Sequence, residues 1–112
     1  MSKLVIDLTT LDAVHATIAA HPVVVIRCWG PGCFPCTRYA PEFARAADRL
    51  SASSVATFYC AAVNVHEVPD FAMALGMRSI PTTLVYRGGQ LVAQFSGYHS
   101  ADDVVARVLA VA

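Results

Sequence analysis

At 112 residues and 11.9 kDa the chain has room for one domain, long enough to bury a core but too short for two catalytic domains. Eight Lys and Arg against eight Asp and Glu give a formal net charge of +0 with 14% of residues charged, which leaves no electrostatic footprint for nucleic acid or an anionic membrane. The hydrophobic content of 56% and mean hydropathy of +0.54 raise the question of a membrane span, but 19 Ala and 15 Val supply much of that content and no apolar run approaches the ~18 to 20 residues a spanning helix needs.

Residues 3–8 alternate as a strand does, and Thr9 or Thr10 then opens a helical pattern through Leu11, Val14, Ile18 and Ala19 that stops before Pro22. Asp7 and Asp12 fall where the apolar core of a secretory signal would follow a basic start, so the expectation is a cytoplasmic protein. Residues 23–26 are a continuous β-branched run, typical of a strand covered on both faces, and a Gly/Pro cluster at Gly30, Pro31 and Gly32 ends it. A long amphipathic helix is predicted over residues 34–50, with Tyr39, Phe43, Ala46, Ala47 and Leu50 on its apolar face. A buried strand comes next over residues 55–65, then a short helix over residues 67–75 closed by Gly76. Strands at 83–86 and 91–95 form a hairpin through Arg87-Gly88-Gly89-Gln90, whose glycines can take the positive φ of a tight turn. Ser100 with Asp103 three residues on opens a last helix, with Val104, Val105, Val108 and Leu109 as its apolar face. The order βαβαβαββα implies an α/β fold with a mixed sheet and helices on both faces, and neither repeat nor linker divides the chain.

Four cysteines stand at positions 28, 33, 36 and 60. Three disulfide pairings are possible in an oxidising compartment, but a chain this rich in Val, Ile and Leu needs no staples, and in a reducing one the pair Cys33 and Cys36 reads as redox-active or metal-binding. Metal binding needs two further ligands, and neither a second CxxC nor a paired-histidine spacing is present. Cys33 falls at or just before a helix N-terminus, where unpaired N–H groups and the helix dipole stabilise an anion and lower a thiol pKa. Cys36, one turn later, is within disulfide reach. The first sulfur can attack a disulfide as thiolate, and the second can release the product by attacking the first.

The segment Trp29-Gly30-Pro31-Gly32-Cys33-Phe34-Pro35-Cys36, followed by Ala40-Pro41, resembles the active-site segment of the thioredoxin family. Gly76-Met77-Arg78 ahead of Ile80-Pro81-Thr82 resembles the family's cis-proline loop, Gly88-Gly89-Gln90 and Gly97 resemble its hairpin and the glycine after its last strand, and Asn64-Val65 before Glu67 fits the end of its third strand. The resemblance runs through the whole chain in order and implies a single thioredoxin-fold domain over residues 1–112. It implies a protein-disulfide reductase in which Cys33 is the nucleophile and Cys36 the resolving thiol, with no bound cofactor and no metal, since the electrons reside in the Cys33–Cys36 dithiol. Its substrates would be protein disulfides and its electron donor a thioredoxin-reductase-like protein, with no nucleic-acid or membrane partner and a monomeric chain. Trp29, Phe34, Ile80, cis-Pro81 and Gly97 would contact the substrate, Ile80 by offering its backbone to an extended segment. Pro41 would sit inside the active-site helix.

The chain departs from the family pattern at named positions. The family's usual buried acid six residues before the first active-site cysteine is Arg27 here, and the lysine that accompanies it on the next strand is Ala62. An arginine favours a neighbouring thiolate but cannot serve as a base, so Arg27 is expected to modulate the site, to leave resolution at Cys36 to water, and to make the couple more oxidising. Because an unpaired buried guanidinium is costly, Arg27 is also expected to reach solvent or a carboxylate. Gly32 stands where the family has a second Trp, and Phe34 with Pro35 between the cysteines is expected to tune redox poise. Cys28 and Cys60 read as small buried hydrophobes whose side chains, in the family register, lie on opposite faces of neighbouring strands, which rules out a bridge between them. His15, His21, His66 and His99 have no partners at ligand or base spacing and read as surface or capping residues. A contrasting function is a thioredoxin-fold interaction or chaperone-like module with weakened redox activity.

Overall fold

In the computed structural model residues 4–112 are described, and Lys3, the first residue of the expected opening strand, lies outside them. The elements are β1 (Val5–Asp7), α1 (Leu11–Ala20), β2 (Val23–Trp29), α2 (Phe34–Ser51), β3 (Phe58–Asn64), α3 (Pro69–Ala74), β4 (Thr82–Arg87), β5 (Gln90–Ser96) and α4 (Ala101–Leu109). This is the predicted order. Thr10 caps α1 by accepting the Ala13 N–H at 3.1 Å, and Ser100 caps α4 by accepting that of Asp103 at 3.2 Å, so each helix begins where a short hydroxyl side chain can satisfy an orphan donor. The hairpin turns on Gly88 and Gly89, at φ of +59° and +83°, a conformation that side chains with a Cβ rarely adopt.

Two expected elements have different boundaries, each for a local reason, and one helix face differs by a residue. β3 starts at Phe58 rather than residue 55, because Val55 is exposed and its N–H is taken by the Ser53 hydroxyl at 3.2 Å. α3 is shorter than residues 67–75: the Asn64 carbonyl accepts the Glu67 and Val68 N–H groups and its side chain accepts that of His66, so a turn occupies the residues ahead of Pro69. On α4 the buried face is Ala101, Val104, Val105 and Val108, with Leu109 at the exposed end.

The sheet order is β1-β3-β2-β4-β5, with β1 and β2 parallel to β3, and β4 antiparallel to both β2 and β5. β2 is central and its side chains alternate between two cores. Val23 and Val25 face Tyr39, Phe43, Leu50 and α4, whereas Val24, Ile26 and Cys28 face Val14, Val63 and Phe71. The high hydropathy is therefore the two-sided burial of a sheet, and no described helix is long and apolar enough to cross a membrane. One row of paired residues crosses the sheet from β1 to β5: Asp7 pairs with Ala62, Ala62 with Arg27, Arg27 with Thr83 and Thr83 with Phe95. Paired residues share a face, so this row lies on the side covered by α2.

Candidate active site

β2 ends at Trp29, and residues 30–33 carry the chain over the sheet edge into α2. Gly32 makes the turn possible at φ +74°, and Gly30 sits so close to the neighbouring loop that a Cβ there would lie 2.8 Å from Ile80 Cδ1. Cys33 is the N-cap of α2, with Pro35 in the first turn, where its missing N–H costs nothing. Cys33 and Cys36 are joined in a disulfide with their Cα atoms 5.2 Å apart. The two sulfurs differ in environment: Cys33 is half-buried, whereas Cys36 is 2% exposed. The Cys36 N–H points at Cys33 Sγ from 3.2 Å, and the first turn of α2 contains no acidic residue. A thiolate released at Cys33 thus finds a backbone donor and the unopposed positive end of an 18-residue helix.

The Ile80–Pro81 peptide bond is cis, as the resemblance implied, and the Ile80 carbonyl oxygen lies 3.8 Å from Cys33 Sγ. The loop is held on its far side by Gly97, whose N–H donates to the Pro81 carbonyl at 2.8 Å, and by the Thr82 hydroxyl, which donates to the Ser79 carbonyl at 2.7 Å. Gly97 sits at φ +87° with open space where a Cβ would be, so its backbone conformation is what calls for glycine. Trp29 is partly buried beside the disulfide, and Phe34 between the cysteines is 72% exposed. Together Trp29, Phe34, Ile80 and Pro81 bring an apolar rim to the half-buried sulfur.

Arg27 meets one expectation only in part. It finds no paired carboxylate: it is 9% exposed, makes no ion pair among the described residues, and opens to the outside only where its side chain lines a cavity beside Trp29 and Cys36. The reason is its place in the row under α2, where Asp7, the nearest carboxylate along that row, is separated from it by the width of the β3 strand at Ala62. Burial pushes the guanidinium pKa down, and the negative charge of Asp7 pulls it partly back. Its charge lies over the Trp29 ring, 5.8 Å from the centroid. Asp7 carries no local signal of this role in the sequence, because only the strand register places it opposite Ala62 and hence on the active-site side.

Cys28 and Cys60 are free, buried, and in the two different cores, as expected from the register. Burial pushes both thiols up to about 12, with Arg27 opposing the shift at Cys28. Alkylation of the reduced, folded protein at pH 8 is therefore expected to label neither of them, and unfolding should expose both, a result that mass spectrometry resolves residue by residue. Among the histidines, His21 caps α1 and stacks on Tyr59, His99 bonds Asp103 at 2.6 Å and the Ser96 carbonyl at 3.0 Å, and the His66 ring lies against Gly30, its Nε2 3.6 Å from where a Cβ would be.

A family model described as Thioredoxin matches residues 5–110. The chain belongs to the thioredoxin family. Thioredoxin of Alicyclobacillus acidocaldarius is 34% identical over 106 residues, covering 90% of this chain and 93% of that one. The chloroplastic M-type thioredoxin of Triticum aestivum is 36% identical over 76 residues, 68% of this chain and 41% of the relative, so the chain spans about two-fifths of the length of that protein and of its Zea mays counterpart. The structure of Plasmodium falciparum thioredoxin matches with a TM-score of 0.85 at 21% identity, covering 96% of this chain and 100% of that one. That of Malassezia sympodialis thioredoxin matches with a TM-score of 0.83 at 23% identity, covering 96% and 90%. The fold is thus the thioredoxin fold, and the cysteine pair at the start of α2 lies within the part of the chain that matches the family.

Proposed function

We propose that this chain is a protein thiol–disulfide oxidoreductase that reduces protein disulfides in the cytoplasm, acting as a monomer and re-reduced by a thioredoxin-reductase-like donor. The observation that carries the reading is the bonded pair at the N-terminus of α2, with Cys33 half-buried and Cys36 shut away behind it. In the dithiol form Cys33, as thiolate, attacks one sulfur of a substrate disulfide, and the other substrate sulfur leaves as a thiolate. Cys36 then attacks Cys33 Sγ, which releases the second substrate sulfur and re-forms the intramolecular disulfide. Two electrons pass to the substrate and return from the donor, with none stored elsewhere. Trp29, Phe34, Ile80 and Pro81 serve as the substrate rim around Cys33, and Gly97 supports that rim by holding the Pro81 carbonyl. A turbidity assay of protein-disulfide reduction with dithiothreitol as electron source tests the reading: turnover is expected, and its absence in a chain that still binds disulfide-containing proteins would favour the interaction-module alternative.

Arg27 acts on this couple through its charge. A cation beside Cys36 stabilises the thiolate and with it the reduced form, so Arg27→Met should shift the dithiol–disulfide equilibrium about tenfold toward disulfide, ~30 mV more negative for this two-electron couple. Equilibration with a glutathione redox buffer measures the shift.

A further inference from the structure

Between β1, β2 and the start of α2 lies a cavity of about 330 Å³, lined by Asp7, Arg27, Trp29, Gly30, Cys36 and Thr37 among others. The volume is several times the ~30 Å³ that one water occupies in the liquid. Its main positive charge is Arg27. That side chain is nine-tenths buried, yet its Nε is sealed from solvent without an acceptor, and no hydrogen bond or ion pair to the guanidinium exists among the described residues. The terminal nitrogens are the part of the group left to face the cavity. A guanidinium with one sealed, unsatisfied donor and its terminal donors opening on a cavity lacks the carboxylate or other acceptor that ordinarily accompanies a buried arginine. The one carboxylate on the cavity wall among the described residues, Asp7, is exposed and acts on Arg27 through space only.

We propose that this cavity binds a small planar oxyanion, a carboxylate or bicarbonate, as the counter-ion of Arg27. The guanidinium presents parallel N–H donors that match two oxygens of a planar anion, a geometry that a spherical halide cannot use. The Thr37 hydroxyl is directed to the Cys33 carbonyl, at 3.3 Å, so the site's affinity resides in Arg27. Asp7 opposes the anion, since its negative charge at the wall repels a second one. The site adjoins Cys36, and an anion held there cancels the charge that Arg27 would otherwise present to that sulfur.

Trp29, the single tryptophan of the chain, lines the cavity under the Arg27 guanidinium and reports occupancy directly. The oxidised protein is titrated at constant ionic strength with sodium formate, with sodium bicarbonate and, as control, with sodium chloride, and Trp29 fluorescence is monitored. The expected result is a saturable change with formate or bicarbonate and none with chloride; the more effective of the two identifies whether an organic carboxylate or bicarbonate is preferred. Arg27→Met should abolish the saturable change, and Asp7→Asn should tighten binding severalfold. Far-UV circular dichroism and the melting temperature of each variant show whether it is folded, and if Arg27→Met does not fold, Arg27→Lys replaces it, with an expected loss of affinity of about tenfold. Equal responses to all three salts, a saturable response that survives in a folded Arg27→Met protein, or weaker binding in Asp7→Asn would overturn the proposal. The readout needs no turnover, so it stands or falls separately from the reductase reading.

Discussion

Replacing Cys33 by serine should reduce turnover of protein disulfides to the background of dithiothreitol alone, a loss on the order of 10³-fold or more. The half-buried sulfur at the N-cap is the one an incoming disulfide can reach, and its thiolate is the form that the Cys36 N–H and the helix dipole favour. An alkoxide is not accessible at neutral pH, so serine cannot replace that chemistry. It can, however, replace the structural role: serine is among the preferred N-cap residues, and its hydroxyl can accept the N–H that now faces Cys33 Sγ. The melting temperature of Cys33→Ser is accordingly expected to match that of the reduced parent. Substantial turnover in the variant would move the nucleophile elsewhere.

The Cys36→Ser variant should fail differently. Cys33 still attacks, but nothing within the chain attacks Cys33 Sγ in turn, so a mixed disulfide with the substrate accumulates at one substrate per chain and is released only by external thiol. Non-reducing electrophoresis and peptide mapping should place the bond at Cys33. Because position 36 is 2% exposed, a serine hydroxyl there without a partner costs stability, of order 1–3 kcal/mol. Cys36→Ala removes that cost and should trap the same adduct, which separates chemistry from folding. An adduct formed through position 28 or 60 in either variant would contradict the division of the four cysteines into two that react and two that pack.

Much of this was legible in the residues. The β-branched run at 23–26, the helical spacing of Tyr39, Phe43, Ala46, Ala47 and Leu50, and the paired glycines at 88 and 89 are local signals, and the strand, helix and turn they predict are present. Element ends were less legible where a side chain outside the period competes for backbone groups, as Ser53 does before β3 and Asn64 does before α3. The cysteine pair announced itself by spacing and by its place before a helix. The surroundings of Arg27 did not, because they depend on which strands are neighbours. Its burial follows from the β1-β3-β2 order and the row that joins Asp7, Ala62 and Arg27, and three residues this far apart in sequence carry no local sign of adjacency. The same holds for the buried bond of 2.6 Å between the Tyr39 and Thr83 hydroxyls, which ties α2 to the next strand of that row.

Whether the pair at the start of α2 is a working redox couple is decided by equilibrating the protein with glutathione buffers of graded poise and counting free thiols at Cys33 and Cys36 by mass spectrometry. Both thiols are expected to disappear together in a single two-electron transition, with a midpoint more oxidising than the roughly −270 mV typical of a thioredoxin dithiol. Independent glutathionylation of the two cysteines, with no intramolecular disulfide at any poise, would contradict a shared couple.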